Sequence, residues 1–136
     1  MQSAESAELR VQSAEIKSYR DLIVWQKAMD LVDAVYALSR TFPRYEDHRL
    51  SGQVTRAVVS VAANIAEGQA RSTRKDFANF LMMAKGSLNE TETLLLVAVR
   101  QQYFRDGDAS PALALIDEIS RMLTTLRRRL LGRNQE

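Results

Sequence analysis

"FANFLMMAKGSLNETETLLLVA", residues 77–98, is the stretch that decides the fold. Phe77, Leu81, Ala84, Leu88, Thr91, Leu95 and Ala98 follow one another at alternating steps of four and three. A small or apolar row sustained at that spacing is the seam of a helical bundle, whose helices cross at about 20°. A second row runs beside it: Phe80, Met83, Ser87, Glu90, Leu94 and Val97, with Gly86 and Ser87 small enough to admit a close neighbour. A second buried face is suggested on this helix.

Working outward, "STRKDF" upstream supplies Ser72 or Thr73 as a helix N-cap, with Asp76 three residues after Thr73 in a capping-box arrangement. Before it, Leu50, Val54, Ala57, Val58, Val61 and Ile65 share one helical face, and Gly68 offers a stop or a kink near the end. From Asp21 to Arg40, the residues Leu22, Trp25, Ala28, Met29, Val32, Val35, Tyr36 and Ser39 recur at helical steps until "TFP" ends the run. Downstream, the seam is expected to reach about Tyr103. "RDGDASP" then reads as a turn, and Ser110 before Pro111 opens a last helix running to about Leu131. Strand-like alternation is absent and the connections are short. The expectation is therefore all-α: an antiparallel, up-down-up-down four-helix bundle over residues 18–131. Residues 1–17 read as a mobile or frayed extension and 132–136 as a short tail.

Composition sets the class. The chain has 136 residues, 46% hydrophobic and 26% charged, enough for one domain with a real core. It has no cysteine, which excludes disulfides and thiolate chemistry and suits a reducing cytoplasm. The longest wholly apolar run, Leu94 to Val99, is far short of the roughly 20 residues that span a bilayer. No basic segment followed by an apolar one opens the chain, so neither a membrane partner nor a signal peptide is expected.

The segments "DLIVWQKAMDLV", "FPRYE", "LSGQVTRAVVSVAANIAEG", the arginine at 71 and "FLMMAKGSLNETET" resemble, in order over about residues 19–104, the four-helix-bundle proteins encoded in 23S rRNA intervening sequences. Two departures stand out: Ala62 replaces a proline frequent in that family, and Arg49 replaces a glycine. Without the proline, helix two is expected to be straighter. The resemblance implies a ring-like homopentamer of four-helix bundles. Similarly folded accessory proteins of diversity-generating retroelements are associated with a reverse transcriptase and nucleic acid, an analogy of fold that does not by itself carry function.

Helix two also carries Arg56, Ser60, Asn64 and Glu67 at steps of four, four and three, an ordered polar stripe beside the apolar face. Two readings remain open. Arg56, Asn64 or Arg71 can pair with Glu67 or Glu90 inside one bundle, or these groups, with Ser60 and Ser87, can set the register of a subunit interface.

Catalysis is not expected. Glu67, Glu90 and Glu92 lack the Glu-x-x-His pairs of di-metal bundles, so no metal or other cofactor is anticipated. The single histidine, His48, falls in a connection. Ser60 and Ser87 have no histidine on their helices to activate them, and no glycine-rich phosphate loop occurs. Trp25, Tyr36, Phe77 and Phe80 read as core residues rather than base-stacking platforms.

Charge gives the functional clue that owes nothing to resemblance. In an up-down-up-down bundle, Lys17, Arg20, Arg71, Arg74, Lys75, Arg127, Arg128, Arg129 and Arg133 share one end with Glu15, Asp21, Glu67, Asp76 and Glu136: nine cations against five carboxylates. At the other end four arginines, Arg40, Arg44, Arg49 and Arg105, balance Glu46, Asp47, Asp106 and Asp108. Repeated by cyclic symmetry, the basic end becomes a face suited to RNA or DNA phosphates, with little sequence preference; Arg71, Arg74, Lys75, Arg127, Arg128 and Arg129 are its candidate contacts. Helix-end arginines also offset the helix dipole and cover apolar surface. The competing function is a scaffold or accessory subunit docking a protein partner such as a polymerase or reverse transcriptase.

Overall fold

The computed structural model describes residues 16–132, so Glu15, Arg133 and Glu136 of the charge count lie outside the described residues. Four helices make up the described chain: α1 (Ile23–Ser39), α2 (Leu50–Gln69), α3 (Arg74–Arg100) and α4 (Ser110–Gly132). Short 3-10 turns at Tyr19–Asp21 and Arg44–Glu46 precede α1 and α2. Each helix packs on its neighbours in the chain, and α4 closes the bundle against α1. No strand occurs among the described residues.

The α3 seam is buried as its spacing requires, from Leu81 through Ala84, Leu88, Thr91 and Leu95 to Ala98. Ala78 completes it at the start, where Phe77 is half-buried. Thr91 is the buried polar residue of this row, and its hydroxyl donates to the Ser87 carbonyl at 2.8 Å, so the core holds no unpaired group there. On α2 all six anticipated positions are buried, joined by Ala62 and Gly68. The helix is continuous through Ala62, as expected of a residue that keeps its N–H.

Three local expectations are corrected. In α1 the buried row is Val24, Ala28, Leu31 and Val35, while Met29 and Tyr36 are 39% exposed and Trp25 is half-buried at the edge, its ring 5.1 Å from Tyr19. Two apolar rows lie side by side on this helix, and packing against α2 and α4 selects one of them. Gly68 is not itself the stop: α2 runs one residue further, to Gln69, and the glycine is buried within the helix, where a Cβ would meet the Phe80 Cβ at 2.6 Å. The seam of α3 ends at Arg100 rather than Tyr103. Gln102 turns into the left-handed region at φ 61°, and the N–H groups of Gln102 and Tyr103 donate to Val99 and Ala98 carbonyls at 3.0 and 3.2 Å. This pair of bonds closes the helix C-terminus.

The caps hold where the residue chemistry is local. Thr73 Oγ1 accepts the Asp76 N–H at 3.1 Å. Ser18 caps the first turn, accepting from the Arg20 N–H at 3.2 Å, while Asp21 accepts the Lys17 and Ser18 N–H groups at 2.8 and 3.2 Å. Those two bonds hold the Asp21 carboxyl below its ordinary value of 3.8. At the far end, Phe42 is buried between the connections, with ring centroids 5.5 Å from Tyr103 and 6.0 Å from Phe104. Tyr103 donates its hydroxyl to Glu46 at 2.6 Å, which raises its pKa well above the phenol range.

Candidate functional site

The six arginines and lysines chosen for the basic end divide by what they touch. Arg74, in the first turn of α3, donates Nε to the Leu130 carbonyl at 3.1 Å and Nη2 to the Arg129 carbonyl at 3.2 Å. It therefore satisfies two of the carbonyls that the end of α4 leaves without helical partners, and ties that end to the start of α3. Arg71 is exposed in the connection after α2: Nη2 is 3.5 Å from Glu67 Oε2, and the guanidinium lies 4.6 Å from the centroid of Phe80. Lys75, Arg128 and Arg129 are exposed and make no ion pair among the described residues. Arg127 is half-buried. Its Nε has no hydrogen-bond partner among the described residues.

Arg127 and Arg128 also border a cavity of 430 Å³ between α3 and α4, which spacing along a single helix had not revealed. Leu81, Met82, Leu123 and Leu131 give it an apolar lining, and Lys85 reaches across to donate to Thr124 Oγ1 at 2.8 Å. The lining contains no carboxylate.

The polar stripe is largely satisfied within the chain. Ser60 and Ser87 hydroxyls meet at 2.9 Å where α2 crosses α3, and Asn64 Nδ2 donates to the Ser60 carbonyl at 2.9 Å and to its hydroxyl at 3.0 Å. Glu67 is taken by Arg71. Arg56 and Glu90 are exposed, and neither forms an ion pair among the described residues. Outside this polar centre the α2–α3 pair keeps apolar groups in solvent: Met83 is 54% exposed and Val97 39%, with Ala63 exposed beside them.

Among the described residues no group of three or more His, Cys, Asp or Glu side chains is placed to hold a metal ion. No described helix is long and apolar enough to cross a membrane. His48 is exposed in the α1–α2 connection.

Residues 20–125 match the family described as 23S rRNA-intervening sequence protein. The chain belongs to this family. A solved structure of an S23 ribosomal protein family member of unknown function, from Bacteroides thetaiotaomicron, superimposes with a TM-score of 0.71 at 25% identity. The alignment covers 78% of this chain and 96% of that one. No curated protein matches. The family match stops short of Arg127, Arg128 and Arg129, so the basic last turns of α4 lie beyond the part of the 23S rRNA-intervening sequence protein pattern found here.

Proposed function

We propose that this chain is the subunit of a non-enzymatic, cytoplasmic homo-oligomer, a ring-like pentamer of antiparallel bundles, whose basic end binds RNA or DNA backbones with little sequence preference. The observation that carries the reading is the set of exposed, unpaired cations Lys75, Arg128 and Arg129 beside the Arg74 tie, where α3 starts and α4 stops. Arginine and lysine heads without acidic partners are the groups that neutralise phosphates and release counterions, and a ring would multiply a modest patch by the number of subunits.

The antiparallel arrangement is supported by contact order along the helices. Numbers fall along α2 as they rise along α3, from Gly68 against Phe77 and Phe80 to Ser60 against Ser87. Along α4 they fall in the same way, from Leu130 and Arg129 beside Arg74 to Thr124 beside Lys85. The pentamer rests on the family resemblance together with the apolar outward face at Met83, Val97 and Ala63.

The test is binding of labelled single-stranded RNA and duplex DNA over a salt series, with the native chain and with Lys75→Glu, Arg128→Glu and Arg129→Glu combined. All three positions are exposed, so the fold and assembly mass should be retained. Each lost phosphate contact should lower the slope of log affinity against log salt by about 0.7 to 0.9. Affinity unchanged in an intact variant would overturn the nucleic-acid reading. The same outcome would favour a protein-docking scaffold, for which the exposed apolar face of α2 and α3 is the supporting observation.

A further inference from the structure

We infer that the cavity between α3 and α4 is a binding site for a small amphipathic phosphate: an apolar body of aliphatic or aryl character carrying one phosphoryl group. The cavity measures 430 Å³, within the range of small-molecule sites. Leu81 and Leu123, both almost fully buried, back it, and the apolar surface left open belongs to Met82, 49% exposed, and to half-buried Leu131. Covering Met82 and Leu131 removes apolar surface from water, and a methionine adapts its shape to different bodies.

The charged groups that line it are all cationic. Arg127, Arg128 and Lys85 border the cavity, and the Lys85 ammonium uses one donor on Thr124 and keeps two. Arg127 brings its charge to the border of the cavity, with its Nε buried and without an acceptor among the described residues. Three cations around one apolar floor suit a head with about two negative charges and three acceptor oxygens better than a carboxylate with one charge and two oxygens. The wall is fixed before any ligand arrives. Arg74 holds the Arg129 and Leu130 carbonyls, which keeps the last turn of α4 in place and removes two acceptors from the negative end of that helix.

This site does not depend on the nucleic-acid reading, because it is defined by Leu81, Met82 and Leu123 as much as by the arginines and can be read without nucleic acid. The probe is octyl phosphate, titrated into the full-length chain with methyl-labelled methionine, against inorganic phosphate and 1-octanol as separate arms. The methionines provide internal controls: Met82 lines the cavity, whereas Met29 on α1 and Met83 on the outward face of α3 do not.

Saturable movement of the Met82 signal at one equivalent per chain is expected, with Met29 and Met83 unmoved. Inorganic phosphate and 1-octanol should each bind at least roughly tenfold more weakly, since each provides only half of the contacts. Met82→Glu, an exposed position whose change leaves the core untouched, should abolish binding by placing a carboxylate at the mouth. Arg128→Gln should weaken it roughly tenfold for the loss of one charge-assisted contact. Absence of a saturable response at Met82, equal affinity for 1-octanol, or undiminished binding by a folded Met82→Glu chain would each overturn the assignment.

Discussion

A side chain at Gly68 would have to occupy space already held by two aromatics: its Cβ would lie 2.6 Å from the Phe80 Cβ and 3.1 Å from the Phe77 Cδ1. Gly68→Ala should therefore destabilise the fold by about 1–3 kcal/mol in urea unfolding, although alanine is intrinsically the better helix former by about 1 kcal/mol. Asp21 offers a second test at this scale. Its carboxyl is held below 3.8 by the Lys17 and Ser18 N–H groups, so its contribution is present above that pH and fades as the pH falls through the lowered value. The stability difference between the native chain and Asp21→Asn should be largest near neutrality and shrink below pH 3.8, measured by thermal unfolding across the acid range. Asp21 was legible as a charge in the sequence. Its role as acceptor for two backbone N–H groups depends on the turn that Ser18 caps.

At the scale of the element, the starts of helices were the most readable feature, because a cap involves residues two or three apart. A cap at Ser72 or Thr73 was readable from spacing, and Thr73 is the one that accepts the Asp76 N–H. The end of α4 is different, since the group that completes it comes from another helix. Arg74 looked like one more cation in a basic cluster and proves to bond the carbonyls of residues 129 and 130. Arg74→Met keeps most of the stem and removes the fork; it should cost about 1–2 kcal/mol and speed hydrogen exchange selectively in the last turn of α4. Arg74→Lys should recover only part of this, because a single ammonium cannot reproduce the two-pronged contact. The buried face of α1 was likewise beyond local reading: Val24, Ala28, Leu31 and Val35 compete with an adjacent apolar row that includes Trp25, Met29 and Tyr36.

For the whole molecule, the outward face of α2 and α3 is where assembly is tested. Ser60 and Ser87 already bond one another across the helix pair, so changing them would disturb the bundle itself. Met83 and Ala63 are exposed and separate the two effects. Met83→Lys with Ala63→Lys should leave helix content and unfolding cooperativity intact while moving the solution mass toward the monomer, as read by light scattering. A mass unchanged by both lysines would move the contact surface elsewhere on the bundle. The distribution of cations belongs to this scale as well. Arg71 and Arg74 are committed within the chain, so the phosphate-binding proposal rests on the exposed Lys75, Arg128 and Arg129.

The sequence by itself determined the helices, the cap that opens α3 and the central seam of that helix, because these depend on residues within one or two turns of each other. It also determined family membership through segments spread over most of the chain. Tertiary structure decided which of two apolar rows on α1 is buried, why a glycine stands at 68, which arginines are structural, and that α3 and α4 border a cationic cavity open to solvent. Each of those outcomes is set by side chains far apart in the chain meeting across helix pairs. Periodicity along a single helix fixes the direction of a residue around its own axis, and only the packed neighbour fixes what lies in that direction.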